Sequence, residues 1–595
     1  MKYTAITLGP IYKTMQQAKS TKAFWAASYL FSYLMKKILE EIGMPAEKYV
    51  TPYFEEIDLK DDHFPKVGLF HDRFILKEAL NIKPIAEKVL ENFAYKMAKD
   101  IGKDPDKVRD YCKAYFNINV LSGIELDAKD LENSVMHVMN DLLDVTELTN
   151  RINPYEKENY LIDFLEKKPL KEEPHSKYNF LHQKAFENRH FPSTAEIATT
   201  ELHEEPFYVE ALNLMKKDEK EGQVTFYQHL EMALKKTAQS RYRKYLKHYA
   251  IVEADGDSFG DFIKKLSELD KKKERTGKEK LLSRFSRNTL KFNQEAAALI
   301  NKGIDLSDNS ENTGQKTIPK MNGYAVYAGG DDLLFFAPVA CSMYDENGKF
   351  IGQKSIFDLI DAIDVLFDKY FTNDTVFKPI FEEEKKNLTP VSMSYGIAIT
   401  YYKHPLIEAK DASHNALVEV AKKTPKKNPV KNRVALQFIG HSGDEFNLNL
   451  IKKGEKNGAY KAFKAMYQSS ISSELYRNGV IQILESNEAT FFGIGNPTKL
   501  ENIPKNKREG LRNEKWDAFF KENFNESIHT TGKDKELIPF LQKLKDLFKI
   551  VYTENNIEGT PLKHEAEDKP TQNEKNWRSI YSMLKFISFI NNQDN

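Results

Sequence analysis

The chain has 595 residues, 41% of them hydrophobic, and this size predicts roughly three to five domains with separate hydrophobic cores. Lysine plus arginine and aspartate plus glutamate both number 88, so the net charge does not indicate nucleic acid or membrane as a partner of the whole surface. Cys112 and Cys341 are the only cysteines, which excludes a disulfide framework and a multi-cysteine zinc site. Without a signal-peptide pattern or a run of about 18 apolar residues, we predict a cytoplasmic protein and no membrane partner.

The first half of the chain divides into two predicted domains. Strand and helix patterns alternate over residues 1–150, which predicts an α/β domain. It starts with the strand-like YTAITLGPI and a long amphipathic helix closed by Gly43, and continues through hairpin-like segments at KYVTPYF and KVGLFHDRFIL. Residues 151–245 carry no convincing strand pattern and are predicted to form a helical linker domain.

A second alternating block is predicted over residues 246–445. It contains the strand YAIVEADGD, helices from 259 to about 301, a hairpin centred on Gly329-Gly330, and a helix over 354–371. The strand VSMSYGIAITYY, the helix DASHNALVEVAKK and the strand RVALQFIG follow. Residues 446–595 are predicted to form a C-terminal helical domain.

The second block also carries the chemistry. In YAVYAGGDDLLFFAP, two adjacent aspartates, Asp331 and Asp332, follow two glycines between apolar runs, and uncompensated charge is costly to bury there. The strand of IVEADGDSFGDF ends in Asp255 and Asp257 before a helix begins. Carboxylates at the end of a strand and on a neighbouring hairpin are an arrangement that holds two Mg²⁺ ions for phosphoryl transfer.

Each motif alone has a simpler explanation. Gly-Gly-Asp-Asp is also a common hairpin turn, and Asp-Gly-Asp is also a turn with a helix N-cap. Their occurrence together, in this order and on this strand pattern, favours a metal and nucleotide site.

These motifs resemble a known family. DGDSFG, YAGGDDLLFF, SMSYGIAI, the helix ending VEVAKK and the strand after KNRVAL are similar to the Palm domain shared by diguanylate cyclases and the large subunit of type III CRISPR effector complexes. GPIYKTMQQAKSTKAFWAASYLFSYL resembles the first Palm domain of the Cmr-type (III-B) large subunit, and RHFPSTAEIATTEL resembles its Pro-Ser-Thr segment. The resemblance implies an α+β fold with two ferredoxin-like Palm domains, a middle helical domain and a C-terminal helical domain.

The resemblance also implies an activity. The complex contains other Cmr-type subunits and a CRISPR guide RNA, and pairing with target RNA is expected to start conversion of ATP into a signalling nucleotide. Asp255, Asp331 and Asp332 are then the expected catalytic residues and, with the Gly256 carbonyl, the expected ligands of Mg²⁺ or Mn²⁺.

The nucleotide-binding residues carried over from the resemblance lie around the same motifs. Ser258 and Phe259, after Asp257, are expected to offer backbone amides to phosphates, as the start of a helix does. The other expected nucleotide-binding positions are Gly256, Asp257, Gly329, Gly330 and Lys422. Lys422 lies in a run with six basic residues, AKKTPKKNPVKNR, and such a run is often a solvated surface.

The sequence departs from the family pattern in three respects. Relatives often carry a four-cysteine zinc site near the middle helical domain, and the two cysteines of this chain cannot supply one, so residues 151–245 are expected to form a helical linker domain without a zinc site. The first Palm motif starts at residue 1, so an N-terminal histidine-aspartate (HD) nuclease domain and its DNase activity are expected to be absent. His71-Asp72 resembles a remnant of such a site, but no cluster of further ligands accompanies it. The first block also lacks Gly-Gly-Asp-Asp, so we expect it to contribute a nucleotide-binding surface around TLGPI and GLFHDRF.

Several functions remain open from the sequence. The product is expected to be cyclic oligoadenylate, the alternative being transfer of AMP to S-adenosylmethionine. A catalytically vestigial scaffold subunit is the alternative of another class, although intact clustered carboxylates favour an enzyme. A free-standing diguanylate cyclase would need neither the first block nor the helical C-terminal part.

Overall fold

The structure is a computed structural model, and it shows a mixed α+β fold. It describes the following residues: 2–52, 54, 67–126, 135–148, 159–167, 179–186, 191–218, 228–232, 243–272, 280–306, 320–344, 350–384, 388–423, 431–440, 445–454, 457–467, 474–495, 503–524, 537–554 and 572–591.

The first sheet is built from four antiparallel strands. They are β1 (Lys2–Gly9), β2 (Tyr49–Thr51), β3 (Arg73–Leu76) and β4 (Asn117–Glu125), in the order β2-β3-β1-β4. This is the strand order of the ferredoxin-like fold, in which the elements follow one another as β-α-β-β-α-β. The helices of this region are α1 (Ile11–Gln16), α2 (Thr21–Ile42), α3 (Lys83–Ile101), α4 (Pro105–Tyr115) and α5 (Val135–Glu147).

Helix α2 is the largest apolar element of this region. Its N-terminus is capped by the Ser20 side chain, which accepts a hydrogen bond from the Ala23 amide, and it ends at Gly43 in the left-handed conformation, as expected. Phe24, Trp25 and Leu30 on this helix are fully buried. The helix therefore contributes much of the core of the first sheet region.

The described part of the segment between the two sheets contains helices joined by turns and irregular backbone, and no β-strand. Its helices are α6 (Tyr160–Glu166), α7 (Phe180–Phe186), α8 (Thr194–Ala198) and α9 (Pro206–Asp218). In the predicted Pro-Ser-Thr segment, Ser193 and Glu196 form a capping box that starts α8. Thr21 of α2 donates to the Pro192 carbonyl, which ties this segment to the first sheet region.

The second sheet has six strands in the order β14-β13-β12-β5-β9-β8. Its inner part, β12-β5-β9-β8, is antiparallel throughout and again has the ferredoxin-like order. The strands are β5 (His248–Asp257), β8 (Tyr324–Gly329), β9 (Asp332–Pro338), β12 (Ser392–Tyr401), β13 (Arg433–Ile439) and β14 (Glu445–Ile451).

Helices and two small hairpins surround this sheet. The helices are α10 (Phe259–Lys272), α11 (Leu281–Lys302), α12 (Ile356–Tyr370), α13 (Phe377–Glu383) and α14 (Leu406–Asn415), which continues as a π-helix over Ala416–Ala421. The short strands are β6 (Ile304–Asp305), β7 (Lys320–Met321), β10 (Ala340–Tyr344) and β11 (Phe350–Ser355).

Strand β5 joins the two halves of the molecule through alternating side chains. Ala250 and Val252 belong to the core formed with the helices of the second region. Tyr249 and Ile251 point to the opposite face and pack in the core that contains α2. The two sheet regions therefore share a buried contact, and the end of β5 lies beside both.

The helical prediction for residues 446–595 is wrong at its start. Strand β14 (Glu445–Ile451) pairs antiparallel with β13, and Phe446, Leu448 and Leu450 face the core while the residues between them are exposed. The later described elements are helical, as predicted: α15 (Gly458–Tyr467), α16 (Glu474–Ser486), α17 (Glu488–Gly495), α18 (Lys505–Asn523), α19 (Leu537–Glu554) and α20 (Gln572–Asn591). Among the described helices, none is long and apolar enough to cross a membrane.

Candidate nucleotide and metal site

Three carboxylates meet at the end of β5. Asp255 lies directly opposite Asp332 in the ladder between β5 and β9. The Gly256 amide donates to the Asp331 carbonyl at 2.9 Å, which brings the turn of the β8–β9 hairpin against the same strand end. One oxygen from each of the three aspartates lies within 4.8 Å of the others. In the part of the chain that the structure describes, no other three His, Cys, Asp or Glu side chains lie this close together.

Two glycines make this approach possible. A Cβ atom at Gly256 would lie 2.7 Å from the Cβ of Asp331 and 3.2 Å from the ring of Phe259, closer than atoms pack. Gly330 has a φ of +65°, in the left-handed region that favours glycine. Both predicted glycine positions are therefore required by the backbone geometry of the cluster.

The cluster holds more negative charge than its surroundings favour. Burial, followed by the charge of Asp255, raises the pKa of Asp331 to about 6. Burial and the charges of Asp331 and Asp255 raise the pKa of Asp332 well above its usual range. Asp332 is the exposed member of the three, and repulsion from Asp331 and Asp255 opposes its ionisation in addition to burial. The three carboxylates have the electrostatics of a site that gains from a bound cation.

Lys422 supplies part of the positive charge that balances the three carboxylates. Its ammonium group forms an ion pair with Asp255 and donates to the Gly256 carbonyl at 3.3 Å. The residue follows the π-helix over 416–421, and its amide donates to the Leu417 carbonyl, five residues back. The structure thus brings the predicted Lys422 to the cluster, where a metal would compete with its ammonium for Asp255 and a phosphate would compete with Asp255 for its ammonium.

Asp257 has a different environment from the other predicted aspartates. It is 1% exposed, and its Oδ2 atom accepts hydrogen bonds from the hydroxyls of Ser392 and Ser394 and from the Asn432 amide. Its side chain therefore connects β5 to β12 and to the segment before β13. Asp257 organises the strand ends, and it is not a member of the three-carboxylate group.

Ser258 and Phe259 lie at the start of α10, as predicted. Ser258 has a φ of +64°, an unusual conformation for a residue other than glycine, and Phe259 begins the helix. The Phe259 ring is buried against Phe285 and Phe371, so its functional contribution is confined to its backbone amide. The amide groups at this helix start are suitable donors for phosphate oxygens.

Lys431 is a site residue that sequence reasoning missed. Its ammonium donates to the Ser258 hydroxyl at 3.3 Å, and its charge lowers the pKa of Asp255 against the larger upward effect of burial. The signal was present in the basic run around Lys422, but spacing alone did not distinguish Lys431 from the other basic residues of that run.

His71 and Asp72 lie beside the β8–β9 hairpin. Burial lowers the pKa of His71 to about 4, so its imidazole is neutral at pH 7. Burial also raises the pKa of Asp72. Within the described residues neither belongs to a group of three potential metal ligands.

The donor set fits a hard divalent cation. Carboxylate oxygens and one backbone carbonyl are the ligands that Mg²⁺ and Mn²⁺ prefer, and neither cysteine is near. Burial, followed by the charge of Asp255, keeps the pKa of Asp331 raised despite the opposing charge of Lys422. Asp255, Asp331 and Asp332 are therefore the residues suited to hold such an ion.

A carboxylate cluster at the ends of the central strands of a ferredoxin-like sheet defines a protein of the Palm class. The family model described as "Cas10/Cmr2, second palm domain" matches residues 248–431, which contain the whole cluster with Lys422 and Lys431. The model "CRISPR-associated protein Cmr2, N-terminal" matches residues 3–103. These matches show a second palm domain of the Cas10/Cmr2 type and an N-terminal region of the Cmr2 type in this chain, which confirms the family resemblance seen in the sequence.

Solved structures provide a further comparison. A chain of the type III-B Cmr-beta complex bound to cognate target RNA is 12% identical; the alignment covers 83% of this chain and 76% of that one, with a TM-score of 0.48. Chains from Csm1–Csm4 cassettes in complex with cA4 and with one ATP are 11% and 12% identical, with TM-scores of 0.41 and 0.40. Both alignments cover 93% of this chain and 70% of the compared chain. No curated protein matches the chain. The identification therefore rests on the two family models.

Proposed function

We propose that this chain is the catalytic subunit of a type III CRISPR effector complex and that target RNA binding starts its synthesis of cyclic oligoadenylate from ATP. The observation that carries the proposal is the cluster of Asp255, Asp331 and Asp332, whose oxygens lie within 4.8 Å of one another. It falls within the residues that match the Cas10/Cmr2 second palm domain. Because clustered carboxylates are costly to keep without a partner, their presence favours an enzyme over a vestigial scaffold.

In this proposal, Asp255, Asp331 and Asp332 hold Mg²⁺ or Mn²⁺, and the Gly256 carbonyl assists. When bound, two such ions neutralise the triphosphate and make the attacking hydroxyl more acidic. The chain itself fixes their positions through the β5–β9 ladder and the turn at Gly330.

The donor nucleotide is expected to bind over the start of α10. The amides of Ser258 and Phe259 donate to phosphate oxygens, and the ammonium groups of Lys422 and Lys431 balance the remaining charge. Lys422, now paired with Asp255, would shift toward the phosphates once a metal takes its place.

The acceptor must approach the α-phosphate from the side opposite the leaving pyrophosphate. The first sheet region borders the hairpin through the segment that contains His71, in the stretch GLFHDRF. We propose that this region supplies the acceptor side.

We also propose that the chain assembles with other Cmr-type subunits, a guide RNA and target RNA. His71 and Asp72 have no third ligand among the described residues, so we assign them no HD-type nuclease activity.

The assembled complex provides the test. It is incubated with target RNA, Mg²⁺ or Mn²⁺ and labelled ATP, with and without S-adenosylmethionine, and the products are identified by mass spectrometry. Cyclic oligoadenylate that depends on target RNA supports the proposal. A product containing both AMP and S-adenosylmethionine would retain the enzyme class and correct the acceptor. If no nucleotide product forms while the complex still binds target RNA, the scaffold alternative holds.

A further inference from the structure

A short segment of the first sheet region, Gly68–Asp72, contacts the hairpin that carries the two adjacent aspartates. The Ala328 amide of β8 donates to the Gly68 carbonyl at 3.0 Å, and Gly68 forms a parallel bridge with Tyr327. This contact continues the second sheet beyond its edge strand with backbone from the first sheet region. Displacement of the segment would therefore leave the edge of the hairpin without this partner.

The same segment is held from its other side by the first sheet region. The Phe70 amide donates to the Ser32 hydroxyl at 2.9 Å in a buried contact with α2. The Leu8 amide at the end of β1 donates to the Asp72 carbonyl at 2.9 Å. The backbone on both sides of His71 is thus fixed by hydrogen bonds before any side chain is considered.

His71 lies directly against the turn. A Cβ atom at Gly330 would be 2.7 Å from the Cε1 atom of His71 and 3.3 Å from its Nδ1 atom. A Cβ at Gly329 would similarly be 2.6 Å from the Tyr327 hydroxyl. The two glycines of the turn are therefore each covered by a ring, one from the hairpin itself and one from the first sheet region.

We propose that His71 is a positioning residue, which packs on Gly330 and keeps Asp331 and Asp332 at their distance from Asp255. This inference rests on the proposed function, because it assigns His71 a role in the same metal site. Site groups work only within about 0.5 Å of their productive positions, so a turn released from His71 would bind metal less well. The first sheet region then determines the geometry of carboxylates that belong to the second.

A role in positioning can be distinguished from direct contact with the acceptor nucleotide. A residue that only contacts the acceptor changes the acceptor's KM and leaves metal binding unaltered. A residue that positions the turn changes metal affinity even when no nucleotide is present. Mn²⁺ binding to the full chain, followed by electron paramagnetic resonance, therefore tests the role without relying on turnover.

The experiment compares His71→Ala and His71→Gln with the wild-type chain and with Tyr95→Ala, a control on the exposed surface of α3 in the same region. His71→Ala is expected to weaken Mn²⁺ binding by about tenfold or more, the usual effect of removing a residue that orients metal ligands. His71→Gln, which keeps much of the packing volume, should recover part of the affinity. Tyr95→Ala should bind as the wild type does.

Gly330→Ala provides a second, independent variant. It should weaken Mn²⁺ binding because the new methyl group collides with His71 and the backbone is left-handed. In the double variant, His71→Ala removes the collision with the new methyl group. The combined loss of Mn²⁺ affinity should therefore be smaller than the product of the two single losses, because residues in contact are coupled. If the two losses of affinity multiply, the contact between His71 and Gly330 does not affect metal binding, and the inference is overturned.

The remaining outcomes separate this inference from the proposed function. If the wild-type chain binds Mn²⁺ and its complex makes product, but His71→Ala binds Mn²⁺ equally well, only the positioning role fails. If the wild-type chain neither binds Mn²⁺ nor supports product formation, the proposed function fails and the positioning role with it. Circular dichroism of each variant establishes that it is folded, and a His71→Ala chain that is unfolded leaves the decision to His71→Gln and Gly330→Ala.

Discussion

Asp255 and Asp332 face each other directly across the antiparallel ladder between β5 and β9. Like charges in this position destabilise a sheet, and Asp331 adds a third carboxylate next to them. The ammonium group of Lys422 forms an ion pair with Asp255. The arrangement costs folding free energy in the absence of a cation, which gives the first predictions about metal and pH.

Replacing Asp331 and Asp332 with asparagine should abolish nucleotide synthesis. The change keeps the shape of the turn but removes two metal ligands, and so removes charge stabilisation worth several kcal/mol in the transition state. Product formation by the assembled complex, measured with labelled ATP, should fall by at least about 100-fold. Asp141→Asn on the exposed face of α5 is the matched control and should leave the rate unchanged. Undiminished product from the double variant would contradict the assignment of these aspartates.

The stability of the metal-free chain should depend on the same carboxylates. The pKa of Asp331 is about 6 in the folded chain, above its ordinary value of 3.8, so the folded state holds this proton more tightly than the unfolded state. Its contribution to the free energy of unfolding is therefore greatest below about pH 4, and it declines as the pH rises through about 6. Metal binding, which needs the ionised carboxylates, should strengthen over the same range.

This pH dependence is measured as a difference between two proteins, because other groups also titrate. Thermal unfolding of the wild type and of Asp331→Asn/Asp332→Asn is compared at pH 5 and pH 7.5 in the presence of a chelator. The wild type should lose stability relative to the variant at the higher pH and recover it when Mg²⁺ is added. An unchanged difference between the two proteins would mean that the cluster is not strained by its charge.

Lys422 and Lys431 should contribute differently to substrate binding. Both are expected to contact the triphosphate, and loss of one charge-assisted hydrogen bond costs about 1.5–3 kcal/mol, or roughly tenfold to 100-fold in kcat/KM for ATP. Lys431→Ala should act chiefly through KM, because Lys431 contacts Ser258 at the start of α10. Lys422→Ala should in addition strengthen Mn²⁺ binding while it weakens ATP binding, because Lys422 competes with the metal for Asp255. Lys423→Ala, a 71% exposed neighbour of Lys422, is the control.

The sequence predicted the parts of this site that local patterns determine. Asp255 ends a strongly apolar strand and Asp331 follows a Gly-Gly turn, so both the elements and their meeting point could be inferred. Strand β14 also had a local signal, since Phe446, Leu448 and Leu450 alternate with polar residues, but the surrounding Lys- and Asn-rich composition favoured a helical interpretation.

The contacts of His71 and Asp257 were beyond prediction for a different reason. His71 meets Gly330 across two sheet regions, and Asp257 meets the hydroxyls of Ser392 and Ser394 on a strand far along the chain. Such pairs depend on how complete elements pack, and neither residue type nor spacing encodes them. The expectation that GLFHDRF borders the site agrees with the position of His71, although the choice of acceptor by this stretch stays a prediction.

The last prediction concerns the attachment of the C-terminal helices to the second sheet. Lys452, directly after β14, forms an ion pair with Asp364 of α12, and both are almost completely buried. Without Lys452, Asp364 keeps only the more distant Lys453 ammonium, at 3.9 Å, and the Tyr395 hydroxyl as partners. Lys452→Met should therefore cost less than the about 3–5 kcal/mol of a fully unpaired buried charge, and it should increase amide hydrogen exchange in β14 and α15. Hydrogen exchange is the suitable measurement because it reports on β14 and α15 separately from the rest of the chain. Lys423→Met, which breaks an exposed pair with Glu419, should change exchange little because surface ion pairs contribute about 0–1 kcal/mol. Equal protection in the two variants would show that the buried pair does not hold this part of the molecule together.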